Sequence, residues 1–190
     1  MTTFQSDIQV DLEFTPNPNT LKYVTSVPLI LGGAHSFKDR AAAENKSPLA
    51  VKLFDLNGIS AVMIAKSFVT VTLTAQDSLT ELNDGIIETI KKHLMSGDKT
   101  VVVEAAESGN HGQVTGDLAE KIVKILDEEI RPAVAMDGGD ITFEKFEEGI
   151  VYLHMKGACA GCPSSTATLK MGIENRLKEA IPEVQEVVAI

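Results

Sequence analysis

Tryptophan is absent from this chain, and cysteine occurs only twice in 190 residues, as Cys159 and Cys162. Two cysteines spaced so closely can form at most a tight local loop, which excludes a disulfide framework. Basic residues are also in deficit, 17 against 27 acids for a net charge of -10. The concentrated basic face that binds phosphates is therefore missing, and no nucleic-acid partner is expected. Long apolar runs are missing too. The longest, around Val24 to Ala34, is interrupted by Ser26, Pro28 and the pair Gly32-Gly33, well short of the roughly 20 residues of a membrane span. No membrane association is expected. Residues Met1 to Glu13 carry three acids and no Lys or Arg, unlike a secretory signal or an Arg-rich transit peptide. A reducing cytoplasm is the expected compartment, with a mature mitochondrial form left open. What is present, 44% hydrophobic and 23% charged residues, describes an ordinary globular chain.

A composition shift divides that chain. Glu104 to Thr115 reads EAAESGNHGQVT, polar and without apolar periodicity, and is read as a linker (104–115) between domains at 1–103 and 116–190. In the first domain Ile8, Val10, Leu12 and Phe14 alternate with polar residues as in a half-buried strand. The Pro-rich stretch Thr15-Pro16-Asn17-Pro18-Asn19 then turns the chain, and Leu21 to Val27 returns as a second strand. Gly32 to Ser47 reads as an irregular excursion. Ser47-Pro48 opens a short helix, with Ser as cap and Pro at the first position. Ile59 to Ala65 and Ser67 to Thr74 read as strands, and Ser78 to Met95 as an amphipathic helix. No catalytic constellation is found there, and a non-enzymatic protein is expected.

The second domain opens with a helix from about Gly116 to Ala135, kinked or ended at Pro132. Asp137-Gly138-Gly139-Asp140 reads as a turn with solvated acids, and Arg131 as a helix-terminal residue near the last carbonyls. Ile141 to Phe146 and Ile150 to Lys156 form a hairpin. The Cys loop follows, then a helix from about Ser164 to Ala180 capped by Ser164 or Ser165, and a last strand from Val184. The fold class is α+β: two small domains, the C-terminal one α-β-β-α-β with the CxxC loop between strand and helix.

A CxxC pair supports dithiol/disulfide exchange, half of a zinc site, or half of the thiolates of an iron–sulfur cluster. Its place before a helix N-terminus lowers a thiol pKa and suits a redox dithiol or a metal-binding thiolate equally. Against a thioredoxin-type module, the preceding strands form a hairpin rather than a βαβ crossover, and Pro163 follows the second Cys instead of separating the two. Zinc would need two more ligands from His35, His93, His111 and His154. Met136, Met155 and Met171 read as core or interface. Gly157 and Gly161 favour the cluster reading, since residues without Cβ let backbone amides approach inorganic sulfide. A cubane wants four thiolates and this chain owns two, so a bound cluster must lie between two subunits.

Several blocks then converge on one family. Ile130-Arg131-Pro132, Asp137-Gly138-Gly139-Asp140, Gly157-Ala158-Cys159-Ala160-Gly161-Cys162-Pro163-Ser164-Ser165, Thr168-Leu169-Lys170, Gly172-Ile173-Glu174 and Ile181-Pro182-Glu183-Val184 resemble the C-terminal domain of the NifU/Nfu family. Thr15 through Lys22, Ser47-Pro48-Leu49-Ala50, Leu53-Phe54 and Phe68-Val69-Thr70-Val71 are similar to the Nfu N-terminal domain. The segments Asp55 to Ser60 and Gly32 to Lys46 fit that pattern poorly. The resemblance implies a scaffold or carrier that holds a 4Fe-4S cluster through Cys159 and Cys162 of paired subunits. It would act as a homodimer when loaded, receive the cluster from upstream assembly factors and pass it to apo iron–sulfur acceptor proteins. A 2Fe-2S form stays open, as do a dithiol redox module and a zinc-binding interaction domain.

Overall fold

A computed structural model of the chain describes residues 8–75, 79–102, 111–112, 115–160 and 163–190, with only the backbone described at 79 and 163–165. The first half builds a five-stranded antiparallel sheet in the order β1-β2-β5-β4-β3. Its strands are β1 Val10–Phe14, β2 Thr20–Thr25, β3 Ala34–Phe37, β4 Ile59–Ala65 and β5 Phe68–Leu73. Helices α2 Pro48–Phe54 and α3 Leu79–Ser96 cover one face. Their Leu49, Leu53, Ile86 and Ile90 pack with Tyr23, Val62, Ile64, Val69 and Val71 of the sheet. Each such side chain removed from water stabilises the fold by about 1.5–3 kcal/mol.

Successive residues of a strand point to opposite faces, and here both faces of β4 are covered. Val62 and Ile64 face the helices, whereas Met63 and Ala65 join Phe68 and Ala34 in a separate cluster against Ala135 of the second half. That double cover explains why Ala61-Val62-Met63-Ile64-Ala65 is apolar throughout instead of alternating. The sheet is the platform on which the second half sits.

The second half has α4 Asp117–Ile125, a π-helical turn Leu126–Ile130, α5 Arg131–Met136, β6 Gly139–Glu147, β7 Ile150–Gly157, α6 Pro163–Ala180 and β8 Glu186–Ala189. Strands β6 and β7 are an antiparallel hairpin, while β8 pairs parallel to β7. Ile122, Leu126, Val134, Ile173 and Leu177 on the helices close over Ile141, Phe143, Val151, Leu153 and Val187.

Four readings are corrected or completed here. The excursion at 32–47 contains β3 and the short helix α1 Arg40–Ala43. Four-residue elements are too short to show a period, and β3 is defined by pairing with β4. The helix does not end at Pro132 but runs to Met136, with the expected irregularity taken up in the π-helical turn directly upstream of the proline. A wider turn there accommodates the missing Pro132 N–H and the ring that would crowd an α-helical carbonyl. Phe14, at the end of edge strand β1, is 75% exposed rather than half-buried. The strands before the Cys loop form the expected hairpin, but β7-α6-β8 is in addition a parallel crossover with the Cys loop at its first junction. That junction is made by the pairing of β8 to β7, which no local pattern announces.

Of the linker read at 104–115, residues 104–110, 113 and 114 lie outside the described residues. Before α4, the His111 Nδ1 accepts the Phe143 N–H at 3.0 Å, and the Gly112 N–H donates to the Phe143 carbonyl at 2.6 Å. Gly112 lies so close that a Cβ would fall 2.2 Å from the Glu144 carbonyl oxygen.

The cap of α2 ties the helix to the chain that follows α3. The Ser47 hydroxyl accepts the Ala50 N–H at 3.1 Å and donates to the Thr100 carbonyl at 2.6 Å, fully buried. Ser47→Ala should therefore cost about 2 kcal/mol, the upper end for a lost cap, because the Thr100 carbonyl is orphaned as well. A lowered urea midpoint at unchanged m-value checks it; an unchanged midpoint would show that the cap contributes nothing.

Candidate functional site

The Cys loop leaves β7 at Gly157 and enters α6 at Pro163. Gly157 has φ +64°, the left-handed conformation that L side chains avoid. It turns the chain so that the Ala158 N–H donates to the Gly138 carbonyl and the Ala160 N–H to the Gly157 carbonyl, both at 3.0 Å. The Thr166 hydroxyl donates to the Cys159 carbonyl at 3.0 Å. These three bonds point the Cys159 side chain inward, where it is 6% exposed and belongs to the core under the helices. Its Sγ lies over Gly139, where a Cβ would fall 2.3 Å from it. Cys162, the other expected ligand, lies outside the described residues, as do the side chains of Ser164 and Ser165. Pro163 opens α6, so both serines fall within its first turn rather than at its cap.

The expectation of a lowered thiol pKa is overturned for Cys159. Burial, with smaller contributions from the negative charges of Asp137 and Asp140, pushes the thiol up to about 11. Desolvation penalises the anion more than a helix N-terminus rewards it. A raised pKa favours the neutral thiol over the nucleophilic thiolate at Cys159.

The Asp137 to Asp140 turn and Arg131 also differ from their sequence reading. Arg131 Nε and Nη2 donate to the two Asp140 carboxylate oxygens at 2.8 and 3.2 Å, and Asp140 is only 6% exposed. Arg131 Nη1 donates to Asp127 at 2.9 Å, and His111 Nε2 faces the same carboxylate at 3.2 Å. This network clamps α5 onto the start of β6, beside the Cys loop. Fork-shaped pairing of this kind fixes geometry as well as charge. It was missed because Arg131 and Asp140 are nine residues apart across a helix end and a turn, where no period applies.

An open groove of about 590 Å³ lies beside Cys159, lined by Pro16, Ile130, Val134, Asp137, Leu169 and Ile173 among others. Met136 and Met171, each adjacent in sequence to a lining residue, are 74% and 62% exposed, whereas Met155 packs against the core.

The histidines weighed as zinc ligands are dispersed. His35 is on β3. His93 is buried on α3 with its Nδ1 3.3 Å from Lys52 Nζ, and burial followed by that positive charge holds its pKa low. His111 is occupied as above, and His154 Nε2 lies 3.3 Å from Glu144. Among the described residues no three His, Cys, Asp or Glu side chains are grouped to hold a metal ion, and no helix is long and apolar enough to cross a membrane.

A raised pKa in the closed loop makes Cys159 alkylation strongly pH-dependent. In a Cys162→Ser chain the thiolate is a fraction of roughly one in a thousand at pH 8, from the thiol pKa of about 11. The iodoacetamide rate should climb about tenfold per pH unit from pH 7 to 10, since only the thiolate reacts. A plateau near pH 8.5 would mean that the thiol is solvated.

The model of the NifU-like domain matches residues 122–188, and that of the scaffold protein Nfu/NifU N-terminal domain matches residues 8–97. A human protein, "NFU1 iron-sulfur cluster scaffold homolog, mitochondrial", is 39% identical over 94% of this chain and 70% of its own length. "NifU-like protein C1709.19c" of Schizosaccharomyces pombe is 32% identical over 96% of this chain and 73% of its own. "NifU-like protein 4, mitochondrial" of Arabidopsis thaliana is 36% identical over 94% of this chain and 64% of its own. With both domain models matched in order and relatives similar over nearly its whole length, this chain belongs to the NifU/Nfu family of scaffold proteins.

Proposed function

We propose that this protein carries an iron–sulfur cluster as cargo, a 4Fe-4S cluster held between two subunits by Cys159 and Cys162 of each and passed to apo-proteins. The observation that carries the reading is the pairing of the chain's only two cysteines in one CxxC, with Cys159 at an open groove, in a chain whose human relative is named an iron–sulfur cluster scaffold. One CxxC supplies two thiolates where a cubane takes four, so a second copy completes the set. The exposed Met136 and Met171 near the groove are surfaces that such a pairing would cover.

The closed loop suits a carrier. To bind iron, Cys159 must turn outward and release its proton to solvent, because the thiolate is the ligand. Delivery is ligand exchange: an acceptor thiolate bonds iron as a Cys159 or Cys162 sulfur leaves and regains a proton. Two features favour release. A thiolate-ligated cluster carries net negative charge, which Asp137 near Cys159 opposes, and a thiol that prefers its neutral buried form has a stable state to return to. The domains are read as 1–103 and 116–190, and the first is assigned a role in delivery. The human and Arabidopsis relatives are named mitochondrial, so a mitochondrial site joins the cytoplasm as a proposed compartment.

The β7-α6-β8 crossover with CxxC at its first junction favours one second reading, a dithiol redox module. Its attacking thiol would need a depressed pKa, opposite to that of Cys159. Anaerobic reconstitution with iron and sulfide separates the two. The carrier should bind about two irons and two sulfides per chain, become a coloured dimer, and lose both properties in Cys159→Ser or Cys162→Ser. A colourless monomer that cycles between dithiol and disulfide would overturn it.

A further inference from the structure

The two halves of the chain meet at the Cys loop, and the contact is specific. Asn17, in the turn between β1 and β2, donates from Nδ2 to the carbonyls of Ala158 and Ala160, each at 3.3 Å, so that the two bonds straddle Cys159. The amide is held from behind: its Oδ1 accepts the Asn19 N–H at 3.1 Å, and the Asn17 N–H donates to Thr15 Oγ1 at 3.2 Å. Asn17 is 5% exposed, and its neighbour Pro16 forms part of the groove wall beside Cys159.

The surrounding surfaces fit closely. Lys22 Nζ donates to the Met136 carbonyl at the end of α5 at 3.1 Å, while pairing with Glu13 at 2.8 Å and lying 5.1 Å from the Phe68 ring centre. A Cβ at Gly138 would fall 3.1 Å from methyl carbons of Thr15 and Thr70, and one at Gly157 would fall 2.6 Å from the Met63 methyl carbon. The glycines of two separate motifs are thus seated against the first domain's sheet.

We propose that the first domain is a latch on the Cys loop: docked, it holds Cys159 inside, and release of Asn17 is the step that lets the thiol turn outward. For Cys159 to reach any ligand outside the core, residues 158–160 must move. Among the described residues, the bonds that hold their backbone are those from Ala158 and Ala160 to Gly138 and Gly157, that from Thr166 to Cys159, and the two from Asn17. Among these bonds the Asn17 pair comes from the other domain, and it can break by domain separation without disturbing the second domain's own core. The latch makes the first domain a control on access, holding Cys159 inward until a partner or a second copy displaces it. Asn17 is a positioning residue, acting through the loop carbonyls. The significance of the latch rests on Cys159 being a cluster ligand, but its primary test needs no cluster.

The test uses the full chain with Cys162→Ser, leaving Cys159 as the sole thiol, and follows its reaction with a disulfide reagent such as DTNB at fixed pH. Asn17→Ala should accelerate labelling by roughly tenfold, the scale of one to two neutral hydrogen bonds, with the thermal midpoint of the second domain unchanged. Lys22→Met, which removes the domain contact to the Met136 carbonyl and no hydrogen bond to residues 158–160, should accelerate it as well and serves if Asn17→Ala fails to fold. A wild-type labelling rate in the folded Asn17→Ala chain overturns the latch. With both cysteines restored, Asn17→Ala should also load iron and sulfide faster. If no variant loads a cluster while labelling still accelerates, the carrier reading fails and the latch stands.

Discussion

The structure depends on close approach at three glycines. Gly138 and Gly157 sit where a side chain would strike Thr15, Thr70 or Met63, and Gly139 sits where one would strike the Cys159 sulfur. Packing at interior density leaves no room for even a methyl group at such points. The Cys loop is consequently compressed between its own domain's core and the sheet of the other domain. The Cys159 thiol is buried there, which raises its pKa, and Asn17 reaches the loop carbonyls.

The Arg131–Asp140 pair sets the frame around it. Two bonds from the guanidinium to one carboxylate hold the end of the helical segment against the first residues of β6, so that Gly138 and Gly139 approach the loop at a fixed distance. A partly buried pair of this kind owes its value to geometry more than to net stabilisation, because desolvation offsets much of the attraction. The π-helical turn before Pro132 contains Asp127 and leads directly into Arg131 on the same continuous helical segment, which continues through a residue that normally ends helices.

Much of this was legible along the chain. The alternation at Val10 to Leu12, the Ser47-Pro48 helix start, the hairpin around Glu148-Gly149 and the stripes of the long helices all follow local periods of two or 3.6 residues, which side-chain geometry imposes directly. Elements without a period were not legible: β3 at Ala34–Phe37 exists through its partner β4, and the parallel alignment of β8 with β7 depends on the length and packing of α6. The thiol pKa was read with the wrong sign, because a helix N-terminus is a local feature whereas burial is a property of everything packed around it.

By itself the sequence determined the thiol count and spacing: one CxxC, and two cysteines in all. It also determined the order of the elements, since their periods are written residue by residue. Only the tertiary structure decided which way Cys159 points and what holds it there. Asn17 and Ala158 are separated by 141 residues, and contacts at that separation arise from the shapes of two folded surfaces, which no window along the chain contains.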